Sequence, residues 1–481
     1  MSDSMSLKKA ALINASAKYS TVLVNLLSNA VLARILTPED YGVVAIISVF
    51  ATFFLVFADM GIGSAVIQNR DLTNEELDDI FSWTNYVGLS IVLVFSLFSF
   101  AIAYFYDNNI YISLGMILSL SSFFTALSMV PNALLMRKKK FVYVAIRNVL
   151  ASIINFGCTL FLALNGFKAY SIVAGTVVNA AVLFLFNYKG SHLKLKMFPR
   201  VSSFKKIAGF SMYQFCYQFV NYFSRSLDNI LAGKFLGNAA LGYYDKAYKL
   251  MIYPINNFTA VINPVLHPIL SEYQNDKKYI YTKYIKLVKV LALVGCYCTL
   301  ICYFNADEII RIVYGDMWEG CVFSFKVLSL SIASQMVSSS AGSIYQSLGL
   351  TKVMFQSGMC YMVSTVVLII LGISRGNINS LAICVSVSLF VKFFVELYFL
   401  ICKCFRFNLV KFLKEVFPTF AVSIITGFII TVFLSAGFLS PTNTFVNFLF
   451  KSVLISGVYL CLSFASGILK DIHILHKKSQ R

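Results

Sequence analysis

Long apolar stretches alternate with short polar connections along the whole chain. Each stretch has about 20 residues or more, the length that an α-helix needs to cross the hydrocarbon core of a bilayer. About fourteen such stretches can be delimited, at residues 11–36, 41–67, 80–105, 111–135, 143–164, 168–187, 207–236, 241–268, 284–304, 321–348, 353–373, 379–401, 412–437 and 445–468. Because a membrane span must satisfy its own backbone hydrogen bonds, the pattern predicts an all-α polytopic membrane protein.

Composition agrees with this class and excludes others. Hydrophobic residues make up 58% of the 481 residues, charged residues 13%, and the mean hydropathy is +0.77, which soluble globular chains do not reach. The spans and their short connections leave no room for a soluble domain. The net charge of +19 therefore belongs to loops beside a membrane, and we expect no nucleic-acid partner.

Basic residues are concentrated in alternate connections. One set of connections holds most of the Lys and Arg, including Lys8-Lys9, Arg137–Lys140, Lys189–Lys206, Lys403–Lys414 and the tail Lys470–Arg481. The opposite set carries acids, among them Glu39, Asp40, Asp107, Asp307, Glu308, Asp316 and Glu319. The positive-inside rule places the basic set, and with it both termini, in the cytoplasm, so the number of spans must be even.

The longest polar cytoplasmic connection, Tyr188–Lys206, divides the spans into seven and seven. We expect an N-terminal half at residues 1–200 and a C-terminal half at 201–481. Ala33–Leu36 with Gly42 resembles Gly233–Leu236 with Gly242 at an offset of 200 positions, which favours an internal duplication over chance. In transporters built from such repeats, the substrate path lies between the halves.

Polar residues follow one face of the first and seventh spans. Gln214, Gln218, Asn221, Arg225 and Asp228 are spaced by three, four or seven residues, and Lys18 and Asn25 share a similar stripe. Such a face avoids lipid, so we expect a central cationic cavity for an anionic solute; a structural Arg225–Asp228 pair is the alternative. The predicted substrate-binding residues are Lys18, Asn25, Arg147, Gln214, Gln218, Asn221, Arg225 and Asp228. The sequence offers no catalytic constellation, phosphate loop, metal site or cofactor motif.

Five strings of residues, in order along the chain, resemble one transporter family. They are Ala33–Gly42, Asp59–Gln68, Pro131 through Arg137 to Phe141, Arg225 through Asp228 to Tyr244 and Ala247, and Tyr314–Trp318. The chain is similar in these strings, and in its layout of seven plus seven spans, to the Wzx-like polysaccharide transporters of the multidrug/oligosaccharidyl-lipid/polysaccharide exporter superfamily. Met60 departs from the Phe or Leu that is commoner there.

This resemblance implies a function that the residues alone do not specify. A Wzx-like protein is a flippase that moves an undecaprenyl-pyrophosphate-linked oligosaccharide across the bacterial cytoplasmic (inner) membrane for O-antigen, capsule or exopolysaccharide synthesis. It is not an enzyme and has no cofactor. Its partners would be the lipid-linked glycan, membrane lipid, and a polysaccharide polymerase with its chain-length machinery. Alternating access between the halves would carry the substrate.

Two rival functions differ in their charged residues. A multidrug cation antiporter of the same superfamily needs acidic residues in its cavity, and only Asp59 and Asp228 are candidates. A membrane-integral polysaccharide polymerase or glycosyltransferase typically has a large outer loop, and none of the outer connections is long. Both rivals therefore rank behind the flippase.

Overall fold

Helices account for nearly all of the secondary structure in this protein. The computed structural model describes residues 7–59, 62–69, 71–202, 222, 226–271, 273–274, 276–436 and 443–468. No β-strand occurs among these residues. The predicted all-α class is confirmed.

Chain contacts divide the protein into two units, Met1–Gly242 and Tyr243–Arg481. The helices of unit 1 are α1 (Leu7–Leu32), α2 (Pro38–Asp59), α3 (Ile62–Gln68), α4 (Asn74–Tyr106), α5 (Ile110–Arg137), α6 (Phe141–Leu164) and α7 (Ala169–Ser191), followed by a helical stretch at 226–235. Helix α8 (Asn238–Ser271) has its first turn in unit 1. The predicted halves, divided at residue 200, stay a prediction.

Unit 2 continues from α8 with further helices. They are α9 (Lys277–Phe304), α10 (Ala306–Val313), a 3₁₀ turn (Asp316–Trp318), α11 (Cys321–Ser329), α12 (Ile332–Ser338), α13 (Ala341–Ser347), α14 (Thr351–Ser374), α15 (Ile378–Tyr398) with a π-helical end (Phe399–Phe405), α16 (Leu409–Ser435) and α17 (Thr444–Ala465).

Ten helices in the described part of the chain are long and apolar enough to cross a membrane, or eleven if one bent pair counts as a single span. A membrane protein with many spans is thereby confirmed, whereas the count of fourteen stays a prediction. Two of the predicted spans, 11–36 and 241–268, correspond to α1 and α8, which do not pass this test. The predicted span 207–236 lies mostly outside the described residues.

One predicted span is not a single helix, and another is described in two pieces. Span 41–67 is described as α2 and α3, and residues 60 and 61 between them lie outside the described part of the chain. Span 321–348 consists of α11, α12 and α13, with a bend of 50° after α11. The hydroxyls of Ser331 and Ser334 donate to the carbonyls of Leu328 and Ser331, at 2.7 and 2.8 Å. Serine hydroxyls that bond back to the preceding turn often bend helices, and these two lie at the break.

The start of α2 explains the Thr-Pro-acid string. The amide N and Oγ1 of Thr37 donate to Asp40 Oδ2, and the amide of Asp40 donates to Thr37 Oγ1 at 3.2 Å. Pro38 occupies the first helical position, where its missing N–H leaves no hydrogen bond unmade. The string is thus a helix N-cap, which satisfies the first backbone donors of α2.

Helix α5 is the central helix of unit 1, because α2, α3, α4 and α7 all pack against it. It approaches α4 closely at Gly115, where an added methyl group would lie 2.5 Å from Ser99 Cβ. Small residues at such crossings let membrane helices pack closely. The position of α5 determines which side chains can form a polar site inside unit 1.

Candidate functional site

Arg147 is the predicted site residue with the clearest chemistry. It lies in α6, which packs against α1, and its side chain is only 5% exposed. Its Nη2 donates to Asn132 Oδ1 of α5 at 2.7 Å, whereas Nε and Nη1 have no hydrogen-bond partner among the described residues. Buried polar groups are nearly always satisfied, so a guanidinium with free N–H donors is well suited to an anionic ligand.

Asn132 ends a polar stripe on α5 that the sequence analysis missed. Ser121, Thr125, Ser128 and Asn132 are spaced by four, three and four residues, which places them on one helical face. Ser128 Oγ accepts from Asn187 Nδ2 of α7 at 3.2 Å, and Asn187 is buried. The signal was present in the spacing, but small hydroxyl residues do not interrupt an apolar span as a charge does.

The other predicted site residues of unit 1, which lie in α1, are less buried than Arg147. Lys18 is half-buried and Asn25 is exposed. Polar groups of this stripe bond within their own helix: Thr21 Oγ1 donates to the Ala17 carbonyl, and Asn29 Nδ2 to the Asn25 carbonyl, both at 2.9 Å. The structure therefore brings Lys18 and Arg147 onto two helices that pack together, and the roles predicted for Lys18 and Asn25 stay predictions.

The stripe of the seventh span is described only at its end. Asp228 is 7% exposed, and its Oδ1 accepts from the Asn229 amide at 2.8 Å. Gln214, Gln218, Asn221 and Arg225 lie outside the described residues. The central cavity, and the alternative Arg225–Asp228 pair, thus stay predictions.

Unit 2 contains an apolar cavity of about 440 Å³. It is lined by residues of α8, α9, α10, α11 and α17, among them Leu250, Ile301, Cys302, Phe325 and Phe448. Its surface is almost entirely carbon and sulfur, so it suits hydrocarbon and offers nothing to a charged group.

Two groups of charged residues in unit 2 involve the short helix α10. Lys451 Nζ contacts Glu308 Oε1 at 2.6 Å, and Asn447 Nδ2 donates to the same oxygen; Glu308 is 3% exposed. On the surface, hydrogen bonds to Asp307, and then to Asp316, raise the pKa of Arg311 above its ordinary value. The first group connects α10 to α17, and the second connects α10 to the 3₁₀ turn that follows it.

Comparison with known proteins identifies the family. The family described as "Polysaccharide biosynthesis protein" matches residues 31–323, more than half of the chain. The chain belongs to this family. The resemblance found in the sequence is confirmed.

Two relatives of this polysaccharide biosynthesis protein carry informative names. It is 21% identical over 430 residues to the teichuronic acid biosynthesis protein TuaB of Bacillus subtilis (strain 168), covering 87% of this chain and 88% of TuaB. It is 24% identical over 318 residues to the lipopolysaccharide biosynthesis protein WzxC of Escherichia coli (strain K12), covering 65% and 64%.

A solved structure shares the fold. The lipid II flippase MurJ, in an inward closed conformation, aligns with a TM-score of 0.78 at 18% identity, over 96% of this chain and 100% of MurJ. At this identity the likeness concerns the fold alone.

Proposed function

We propose that this polysaccharide biosynthesis protein is a flippase for an undecaprenyl-pyrophosphate-linked oligosaccharide. The observation that carries the proposal is the buried guanidinium of Arg147 beside the polar stripe of α5, where Nε and Nη1 have no partner in the described part of the chain. A pyrophosphate needs such donors, and the hydroxyls of a glycan can bond to Asn, Ser and Thr. The names of WzxC and TuaB, which concern surface polysaccharides, support this substrate class.

The two parts of the substrate have opposite chemistry. The headgroup would contact Lys18, Arg147 and the predicted residues Gln214, Gln218, Asn221, Arg225 and Asp228. The apolar cavity of unit 2 suits a segment of the prenyl chain, since it is lined by hydrocarbon side chains. Transport requires no covalent step, so the protein acts as a transporter and not as an enzyme.

The proposed setting is the bacterial cytoplasmic membrane, with both termini in the cytoplasm. The support is the concentration of Lys and Arg in alternate connections. Alternating access of the two halves would move the headgroup, as in other transporters with repeated halves. A polysaccharide polymerase and its chain-length machinery would act on the product.

Genetic complementation tests this function. The full chain, expressed in a strain that lacks its own flippase but holds the matching glycan pathway, should restore surface polysaccharide. Arg147→Ala should not restore it, although immunoblots should show normal amounts in the membrane. If the wild-type chain is present in the membrane but the lipid-linked glycan stays in the inner leaflet, the chain does not carry out this step and the proposal is overturned.

A further inference from the structure

The second part of the connection after α7 runs along α4. We call residues 193–200 the strap. Leu193 is buried in a core cluster of unit 1 that also contains Leu77. The amide of Lys194 donates to Asp78 Oδ1 at 2.9 Å, and the amide of Lys196 donates to Ser82 Oγ at 2.8 Å. Side chains of α4 therefore satisfy backbone donors of the strap.

A buried ion pair fixes the middle of the strap. Lys196 Nζ lies 2.8 Å from Asp79 Oδ1 and also donates to the Glu75 carbonyl at 2.9 Å. The Asp79 side chain is 2% exposed. Because separating such a pair would leave a buried charge, the strap is held firmly at this point.

The strap then reaches further along α4 and turns back. The Tyr86 hydroxyl donates to the Met197 carbonyl, and Trp83 Nε1 donates to the Arg200 carbonyl at 3.3 Å. From Asp78 to Tyr86 is about 12 Å along the helix axis. The turn at Met197 and Phe198 is therefore the part of the strap that reaches deepest along α4.

The level of this turn relative to a membrane follows from α4. This helix has 33 residues, about 50 Å, whereas the hydrocarbon core is about 30 Å thick. Trp and Tyr concentrate at the membrane–water interface, so Trp83 and Tyr86 mark it on this side. Beyond them, Leu93 and Leu97 are 65% and 63% exposed, as lipid-facing residues are.

The turn itself is apolar and exposed. Met197 is 78% and Phe198 90% exposed. The nearby cations Lys189, Lys194 and Arg200 are also exposed. Of the acids beside the strap, Asp78 and Asp79 bind it, and Glu75 lies 3.8 Å from Arg200. Exposed apolar side chains among cations match a bilayer surface with anionic headgroups.

We propose that Met197 and Phe198 insert into the interface of the leaflet on this side, while Lys189 and Lys194 contact anionic lipid headgroups. The strap thus anchors the connection between the predicted halves to the membrane as well as to α4. This surface is independent of the transport site, so it can be tested whether or not the chain is a flippase.

Fluorescence quenching in lipid nanodiscs tests the depth of the turn. The chain has two tryptophans, so Phe198→Trp in a Trp83→Phe, Trp318→Phe background gives one reporter. In discs with anionic phosphatidylglycerol, lipids brominated near the headgroup should quench it at least about twofold more than deeply brominated lipids. Leu93→Trp in the same background is the depth control and should show the reverse order.

A second measurement uses the native chain. Trypsin should cleave after Arg200 at least about fivefold more slowly in phosphatidylglycerol discs than in phosphatidylcholine discs, because anionic lipid holds the turn. Phe198→Ser should remove this protection. Three results would overturn the proposal. Acrylamide could quench the reporter introduced by Phe198→Trp as strongly as free tryptophan amide, or trypsin could cleave equally fast in both lipids. The third result is protection of the turn by a bound protein already in detergent.

Discussion

Gly42 of α2 and Gly242 of α8 each lie directly against the backbone of the other's helix. A methyl group on Gly42 would lie 1.8 Å from the Asn238 carbonyl oxygen, and one on Gly242 would lie 1.9 Å from that of Pro38. The two contacts are related by an offset of 200 positions: Gly42 corresponds to Gly242, and Pro38 corresponds to Asn238. The two first turns therefore cross reciprocally, and only glycine allows this approach. The offset is the one seen in the sequence, although the duplication itself stays a prediction.

Gly42→Ala and Gly242→Ala should each destabilise the protein by about 1–3 kcal/mol, the usual range for overpacking. Backbone atoms receive the new methyl group, so no side chain can move aside. Thermal unfolding in detergent measures the effect. Gly157→Ala in α6 is the control, since nothing lies within 4 Å of its added methyl group, and it should be neutral or stabilising by up to about 1 kcal/mol. Equal melting temperatures for Gly42→Ala and Gly157→Ala would contradict the crossing.

Arg147→Met should keep or raise the melting temperature while abolishing export of surface polysaccharide. Replacing a buried, partly unsatisfied cation by an apolar side chain is often neutral or stabilising, whereas a ligand-binding role is lost. Complementation and thermal unfolding are measured on the same variant. Arg375→Met, at an exposed position after α14, should change neither. A large fall in the melting temperature of Arg147→Met would instead assign Arg147 a structural role.

Arg225→Ala should stop export without affecting membrane insertion. A charge-assisted hydrogen bond to pyrophosphate contributes about 1.5–3 kcal/mol, or about 10- to 150-fold in affinity. Arg225→Lys should restore export only in part, because an ammonium lacks the planar fork of a guanidinium. Complementation of a flippase-null strain gives the readout. Wild-type amounts of surface polysaccharide from the Ala variant would remove Arg225 from the site.

Lys451→Met should destabilise unit 2 by about 3–5 kcal/mol, since it leaves Glu308 buried without its cation. The double variant Glu308→Leu, Lys451→Met should recover most of that loss, because no charge is then left unpaired. Unfolding of the four members of this cycle measures the coupling. Asp307→Asn, which weakens the exposed pair with Arg311, is the control and should cost less than about 1 kcal/mol. Additive effects in the cycle would exclude the pair.

The bonds between the strap and α4 also restrict where the two predicted halves can hinge. For alternating access, the central connection Tyr188–Lys206 is the expected hinge, but residues 194, 196 and 200 within it are bound to α4. Bending within the strap would break these bonds, so rocking of the halves should use residues outside it.

The sequence alone determined the all-α membrane class, most of the spans and the family. Each span has to satisfy its own backbone hydrogen bonds in lipid, so length and hydropathy, which are local properties, identify it. Arg147 could be predicted as a site residue in the same way. A cation within an apolar span raises the free energy of membrane insertion, and it can be recognised in the sequence.

Only the tertiary structure showed which groups meet. Arg147 in α6 donates to Asn132 in α5, a partner that the pattern within α6 does not indicate. The crossing of Gly42 with α8 joins residues about 200 positions apart. The path of the strap depends on Asp78, Asp79 and Ser82, which precede it by more than 100 positions. Such contacts depend on how helices pack, and periodicity within one helix carries no information about the partner that its face will contact.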